Sequence, residues 1–258
     1  MPEKDSPSTI PPIQVKNLLM AYNGQVIQHD LNFTVNKGET FIVMGGSGCG
    51  KSTLLRHLTG MITPAEGTVL RDGIDFFATD EKTRNDIRRR SGIMYQAGGL
   101  WSSLSLAENV AFPLKEFTNL SNSQIMELAS LKLALVGLAG CENLLPAEIS
   151  GGMIKRASLA RAMALDPDIL FFDEPSAGLD PISARRLDEL IIELRNSLGT
   201  TIVVVTHDLD SIFAIATNAI FLDEETKTLR ASGPPKEMLA SSTDEKIIRF
   251  LTRGEKHS

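Results

Sequence analysis

The chain of 258 residues has no long apolar run. Even with glycine counted, its longest uncharged apolar stretch is residues 133–141, far short of the roughly 20 a membrane-spanning helix needs. The sequence therefore offers no helix able to cross a bilayer. Positive charge is not in excess either: 26 Lys and Arg against 32 Asp and Glu leave a net charge of −6. Such a field repels nucleic acid and anionic lipid, so no nucleic-acid partner is expected. Only two cysteines occur, Cys49 and Cys141. They are too far apart for a metal-ligand motif and read as free thiols of a reducing compartment. Residues 1–12 lack the apolar centre of an export signal and read, from Glu3, Lys4, Asp5 and the prolines after them, as a flexible arm. What is present is ordinary for a folded domain, 42% hydrophobic and 22% charged residues, which excludes a disordered chain.

The organisation changes along the sequence. Residues 13–19 alternate loosely as a strand, Asn23-Gly24 supplies a hairpin turn, and Leu31, Phe33 and Val35 share one strand face. Residues 40–44 are apolar throughout, as in a strand buried on both sides, and lead through a glycine-rich turn into a helix at 52–59. Residues 68–77 read as a hairpin around Asp72-Gly73. From about 102 to 164 the pattern is helical, with Ser121 and Ser150 as caps. Strand and helix then alternate again: 169–173, 184–197, 201–206 and 210–216. This order predicts an α/β fold with a largely parallel sheet, interrupted by a helical insertion.

Three motifs carry chemistry. Gly45-Gly46-Ser47-Gly48-Cys49-Gly50-Lys51-Ser52 fits G-x-x-x-x-G-K-[ST] between a buried strand and a helix, the context of a phosphate-binding loop. Its glycines let successive N–H groups converge on phosphate oxygens, and the following helix adds its positive end. Lys51 offers a charge to the outer phosphates, and the Ser52 hydroxyl a ligand for Mg²⁺; the expected contacts run on to Thr53. Asp173, after four apolar strand residues, emerges where ligands sit in open α/β sheets and can serve Mg²⁺, while Glu174 can orient or deprotonate an attacking water. Together the two motifs predict binding of a nucleoside triphosphate with Mg²⁺. The third motif is Ser150-Gly151-Gly152, a capping serine and two glycines that form another anion site at a helix start.

Ile149-Ser150-Gly151-Gly152-Met153, 23 residues before Asp173, resembles the signature of ATP-binding cassette (ABC) ATPases, with Met153 in place of the usual Gln. The resemblance extends over most of the chain. It implies a P-loop NTPase (RecA-like) core with an antiparallel β-subdomain, spanning residues 13–240, with a helical subdomain at about 98–164. It places Tyr22 on adenine, Gln96 beside Mg²⁺ and the attacking water, and His207 on the γ-phosphate. The loop of Ser176 to Asp180 would cross to a second copy. ATP and Mg²⁺ are the expected cofactors. Two copies would close head to tail, the Lys51 loop of one facing Ser150, Gly151 and Gly152 of the other.

An ATPase of this kind works on an integral-membrane permease. Part of the stretch from Ala97 to Leu114, with the single Trp101, is expected to line a groove for a permease helix and the rest to fill the core of the insertion. Gln96-Ala97-Gly98-Gly99-Leu100, Val110-Ala111-Phe112-Pro113-Leu114 and Met153 resemble the ATPases of MCE-type lipid transporters, the Mla systems above all. That resemblance implies phospholipid moved between inner and outer membranes to keep outer-membrane asymmetry, and a place on the cytoplasmic face of a bacterial inner membrane. It also implies a periplasmic MCE lipid-binding protein and a small STAS-domain protein as partners. An importer of another solute and a soluble ABC ATPase of an assembly system are the alternatives. The short extension at 241–258 is expected to hold a helix at 244–252 whose Ile247, Ile248 and Leu251 pack on the second copy or an accessory protein. The run Asp223-Glu224-Glu225 reads as an exposed turn.

Overall fold

A strand that is apolar at every position must be covered on both faces, and the central strands of this protein are. The computed structural model describes residues 10–254, so the arm expected at 1–12 lies, up to residue 9, outside the described residues. The N-terminal half supplies β1 (Ile13–Tyr22), β2 (Gln25–Val35), β3 (Thr40–Gly45), α1 (Lys51–Leu58), β4 (Glu66–Arg71), β5 (Ile74–Asp75), α2 (Glu81–Arg89) and β6 (Ser91–Met94). The helical insertion follows as α3 (Leu106–Phe117), α4 (Asn122–Leu135), a 3₁₀ turn and α5 (Gly151–Ala162). The chain then runs through β7 (Ile169–Asp173), α6 (Pro181–Leu198), β8 (Thr201–Val205), α7 (Leu209–Ile215), β9 (Asn218–Leu222), β10 (Leu229–Gly233), α8 (Pro235–Ser241) and α9 (Glu245–Leu251).

Among the described residues the strands form two sheets. One is antiparallel, in the order β2-β1-β4-β5; the other runs β10-β9-β3-β8-β7-β6 and is parallel except at the β10 edge. Alternation divides the core between the two faces of the parallel sheet. Phe41 and Val43 of β3, Phe171 of β7 and Val203 of β8 turn toward the antiparallel sheet, where Phe41 stacks on Phe33 at 5.5 Å. Ile42, Met44, Phe172 and Val204 turn toward α3, α4 and α5. Ser121 caps α4 in a capping box with Gln124 and Ser150 caps α5, both as expected, and Ser105 forms a further capping box with Glu108 at the start of α3. Helix α6 begins earlier than its apolar pattern because Asp180 caps it and Pro181 takes its first position.

The C-terminal region departs from expectation in two ways. Helix α9 forms, but its Ile247 and Leu251 are buried in the chain's own core, and Phe250 packs edge-on against Phe221 at 5.1 Å. The face expected to meet a second copy is already occupied in cis. Each of those two buried side chains contributes about 1.5–3 kcal/mol. Second, Asp223 is not exposed: its carboxylate is fully buried and accepts from Arg230 and Lys246, and Arg230 Nε donates to Asp244 at 2.5 Å. Glu224 and Glu225 remain at the surface, as expected of the run. The polar run hides a cluster that pins α9 to the end of β9.

Burial alone would push the Asp223 carboxyl up, but hydrogen bonds from Lys246 and Arg230 outweigh it and hold it well below the ordinary carboxylate range. A depressed folded value stabilises the fold above the unfolded pKa near about 4, and the gain is lost as pH falls below it. Replacing Asp223→Asn is expected to cost about 2–4 kcal/mol at pH 7, somewhat below a fully buried pair because both cations are partly solvated. The substitution should also lessen the loss of stability between about pH 4 and pH 2. Urea unfolding of both proteins across that range checks this.

Candidate active site

The site is built at the carboxyl ends of β3, β7 and β8. Strand β3 ends on Gly45, whose φ is 149° and where a Cβ would lie 2.4 Å from the Leu222 carbonyl oxygen. Only glycine lets the chain turn there. At the other end of the loop Gly50, φ 97°, starts α1 in a left-handed conformation against Ile27. Between them the loop wraps around the Lys51 side chain, which is largely buried, and Lys51 Nζ donates to the carbonyls of Gly45 at 2.9 Å and Gly46 at 2.7 Å. Cys49 is buried beneath the loop; burial pushes its thiol up and leaves it the protonated, unreactive form at neutral pH.

The loop meets the acidic strand end through one hydrogen bond, Ser52 Oγ donating to Asp173 Oδ1 at 2.8 Å. Glu174 follows with φ 49°, an unusual conformation for a glutamate. Its N–H donates to the Val205 carbonyl at 2.8 Å, and its own carbonyl accepts from Ala177 at 3.2 Å. Held this way, its carboxylate accepts from His207 Nδ1 at 2.7 Å. A cavity of about 580 Å³ is bounded by the loop glycines, Ser47, Lys51, Ser52, Thr53, Gln96, Glu174 and His207, while Asp173 and Cys49 lie behind this lining. Phe250 of α9 also borders it.

Tyr22, Ser150, Gly151, Gly152 and Asp180 do not border that cavity. Tyr22, 67% exposed, ends β1. Ser150 caps α5, accepting from the Met153 N–H at 3.3 Å, and Asp180 caps α6, accepting from Ile182 and Ser183 at 3.0 Å each. These two caps are neighbours, since a Cβ on Gly152 would lie 3.1 Å from Ser183 Oγ. Met153 packs partly buried against the helical core, an apolar role that the usual polar residue would not take. The Ser150 and Asp180 caps thus lie apart from the cavity over the glycine loop.

Two buried side chains of the site belong to none of the motifs. Gln28 Nε2 donates to the carbonyls of Cys49 and Asp223, both at 2.8 Å, stapling the loop to the end of β9. Lys155 of α5 donates to the Gln96 carbonyl at 2.6 Å and reaches the Glu174 carbonyl at 3.4 Å. Their only signal in the sequence is a polar residue at a core-facing position of a strand or helix. Long polar side chains that lie along apolar surface and reach water at their tips give the same signal.

The donor set suits a hard divalent cation. Ser52 Oγ and Asp173 Oδ1 offer two oxygens side by side, and among the described residues no three His, Cys, Asp or Glu side chains gather to hold a metal by themselves. A cation there would take its other ligands from phosphate and water, as Mg²⁺ does. The loop can bind phosphates through its N–H groups and Lys51, and the Glu174–His207 pair can hold a water for attack.

A glycine loop joined to an acidic strand end on a parallel sheet defines a phosphate-loop nucleotide hydrolase. The sequence matches the ABC transporter family over residues 28–177. It is 40% identical, over 94% of its own length and 90% of the relative's, to the intermembrane phospholipid transport system ATP-binding protein MlaF of Haemophilus influenzae. It is 38% identical, over 95% of its length and 67% of the relative's, to the probable ribonucleotide transport ATP-binding protein mkl of Mycobacterium tuberculosis. The dimeric ATP-binding cassette MJ0796, solved in a post-hydrolysis state with ADP and Pi, superposes with a TM-score of 0.78 at 29% identity, covering 86% of this chain and 98% of that one. The chain belongs to the ABC transporter family and is an ABC ATPase with the P-loop α/β fold.

Lys51→Ala removes the ammonium at the base of the loop. A charged hydrogen bond of about 1.5–3 kcal/mol lost to phosphate translates into ATP binding weakened roughly ten- to a hundredfold, or hydrolysis stopped. Titration calorimetry with ATP and a phosphate-release assay check both, with circular dichroism to confirm the fold.

Proposed function

We propose that this chain is the ATP-hydrolysing subunit of a transporter that moves phospholipid between inner and outer membranes and so maintains outer-membrane lipid asymmetry. The observation that carries the reading is the 40% identity to MlaF, which extends over nearly the whole of both chains. Among the described residues no helix is long and apolar enough to cross a membrane, so a separate permease would supply the path, with this chain held peripherally on its cytoplasmic side. An MCE lipid-binding protein and a small STAS-domain protein are the further partners in this proposal.

The mechanism rests on the separation of the two anion-binding features. Two copies close head to tail, and the Ser150, Gly151 and Gly152 turn of one completes the phosphate shell begun by the Lys51 loop of the other. Asp180, beside that turn, meets the partner as well. Tyr22 stacks on adenine, for which its exposure at the strand end is suited. Ser52, Asp173 and Gln96 would hold Mg²⁺, which when bound neutralises phosphate charge and polarises the γ-phosphoryl group. Glu174 orients the attacking water and accepts its proton, while His207 fixes the carboxylate and faces the γ-phosphate. Product release then opens the pair.

Coupling to the permease is supported by the surface beyond Gln96. Leu106, Ala107, Val110, Ala111 and Leu114 are buried, as befits the insertion's core, whereas Trp101 and Phe112 are exposed with ring centroids 6.0 Å apart. Nearby, a groove of about 430 Å³ is lined by Tyr95, Pro113, Phe117, Arg89 and Arg161 among others. Apolar walls with a basic rim suit a cytoplasmic permease helix. A second reading, with ribonucleotide as the cargo in place of lipid, rests on the 38% identity to the mkl protein.

Glu174→Gln keeps the shape of the site and removes the base, so turnover should fall by about a hundredfold or more while ATP drives a stable dimer on size-exclusion chromatography. Native mass spectrometry of the detergent-extracted complex separates the cargoes. Copurified permease with bound phospholipid is the expected result; bound nucleotide cargo without lipid favours the second reading, and absence of any membrane subunit would sink both.

A further inference from the structure

A buried ammonium is costly, so its partners show what it is for. Lys155 is 6% exposed in the second turn of α5, and its hydrogen-bond partners are two main-chain carbonyls instead of a carboxylate. One belongs to Gln96, at the start of the loop that leads to the permease groove; the other belongs to Glu174. Burial lowers the pKa of Lys155, against the opposing pull of the Glu174 and Asp173 charges. Helix α5 grips the same loop further on: a Cβ on Gly98 would lie 2.8 Å from Ser158 Oγ, and Arg161 donates to the Gly99 carbonyl. The helix that Ser150 caps is therefore clamped along its length to the segment 96–99.

We propose that Lys155 is a positioning residue, fixing the Glu174 backbone and the Gln96 loop to the helix that starts at the Ser150 turn. Glu174 has φ 49° and needs support from outside its own turn. Its N–H is tied to β8, and its carbonyl accepts from Ala177 at 3.2 Å within the turn and from Lys155 at 3.4 Å outside it, so Lys155 ties the turn to α5. When a second copy seats its phosphates on the Ser150 turn, α5 moves as one body. Lys155 carries that movement to the two groups that hold the attacking water in its own site. The inference rests on the head-to-tail reading, and it adds a physical path between the two sites of the pair.

Because Lys155 touches neither the glycine loop nor Tyr22 in this arrangement, its loss should act on the chemical step and spare nucleotide binding. In the full-length chain, Lys155→Met keeps the stem and removes the donors; kcat for ATP hydrolysis should fall tenfold or more with KM changed less than twofold. Lys155→Arg, which keeps charge and donors, should recover a substantial part of kcat. A Lys155→Met protein that turns over within threefold of wild type overturns the proposal, as does a parallel worsening of kcat and KM that Lys155→Arg does not relieve. Should Lys155→Met fail to fold, Lys155→Gln takes its place under the same criteria. Glu174→Gln, run alongside, separates the two levels. If it too retains turnover, the reading of the site fails. If it is inactive while Lys155→Met is unimpaired, only the role of Lys155 falls.

Discussion

Everything chemical in this protein depends on the parallel register of three strands. Val205 of β8 pairs with Val43 of β3 on one side and with Asp173 of β7 on the other. That shared rung sets Asp173 level with the last residues before the glycine loop, which is why Ser52 can reach it at 2.8 Å. It also receives the Glu174 N–H on its carbonyl and delivers His207 two residues later. A slip of one residue in any of these strands would exchange the side chains packed in the two cores, so the fit of both cores holds the register.

The same geometry separates what it does not bring together. The loop and its acidic partner emerge from the sheet, whereas the Ser150 and Asp180 caps belong to α5 and α6 and lie next to each other on another surface. One chain thus carries two glycine-containing turns at helix starts that it does not bring together. Helix α5 is the physical link between them, since it begins at the one and holds Gln96 and Glu174 beside the other through Lys155. In the proposed head-to-tail pair, closure of two copies would align the hydrolytic groups in the same movement.

Legibility in the sequence followed locality. The glycine loop, Asp173 with Glu174, and the Ser150 turn were readable because each is a contiguous segment whose chemistry is set by its own backbone. Apolar strands and serine caps likewise announced the parallel sheet and the helical insertion. Gln28, Lys155 and Asp223 were not readable, because each takes its role from partners on other elements: Cys49 and Asp223, Gln96 and Glu174, Arg230 and Lys246. Helix α9 was visible as an amphipathic segment, but a stripe of apolar residues does not say which surface covers it. The Asp223 cluster that brings it back to its own chain sat inside a run that looked like solvent-facing acid.

The order of pairing also governs how the molecule comes into being. Strand β3 has as its sheet neighbours β8 and β9: Thr40 pairs with Ile202 and Phe41 with Asn218. During synthesis β3 is made before either neighbour, with the whole helical insertion between them. Until they follow, a continuously apolar strand and the glycine loop attached to it stand without their template. Over that interval the early antiparallel strands, on which Phe41 packs through Phe33, are the partner the segment has at hand.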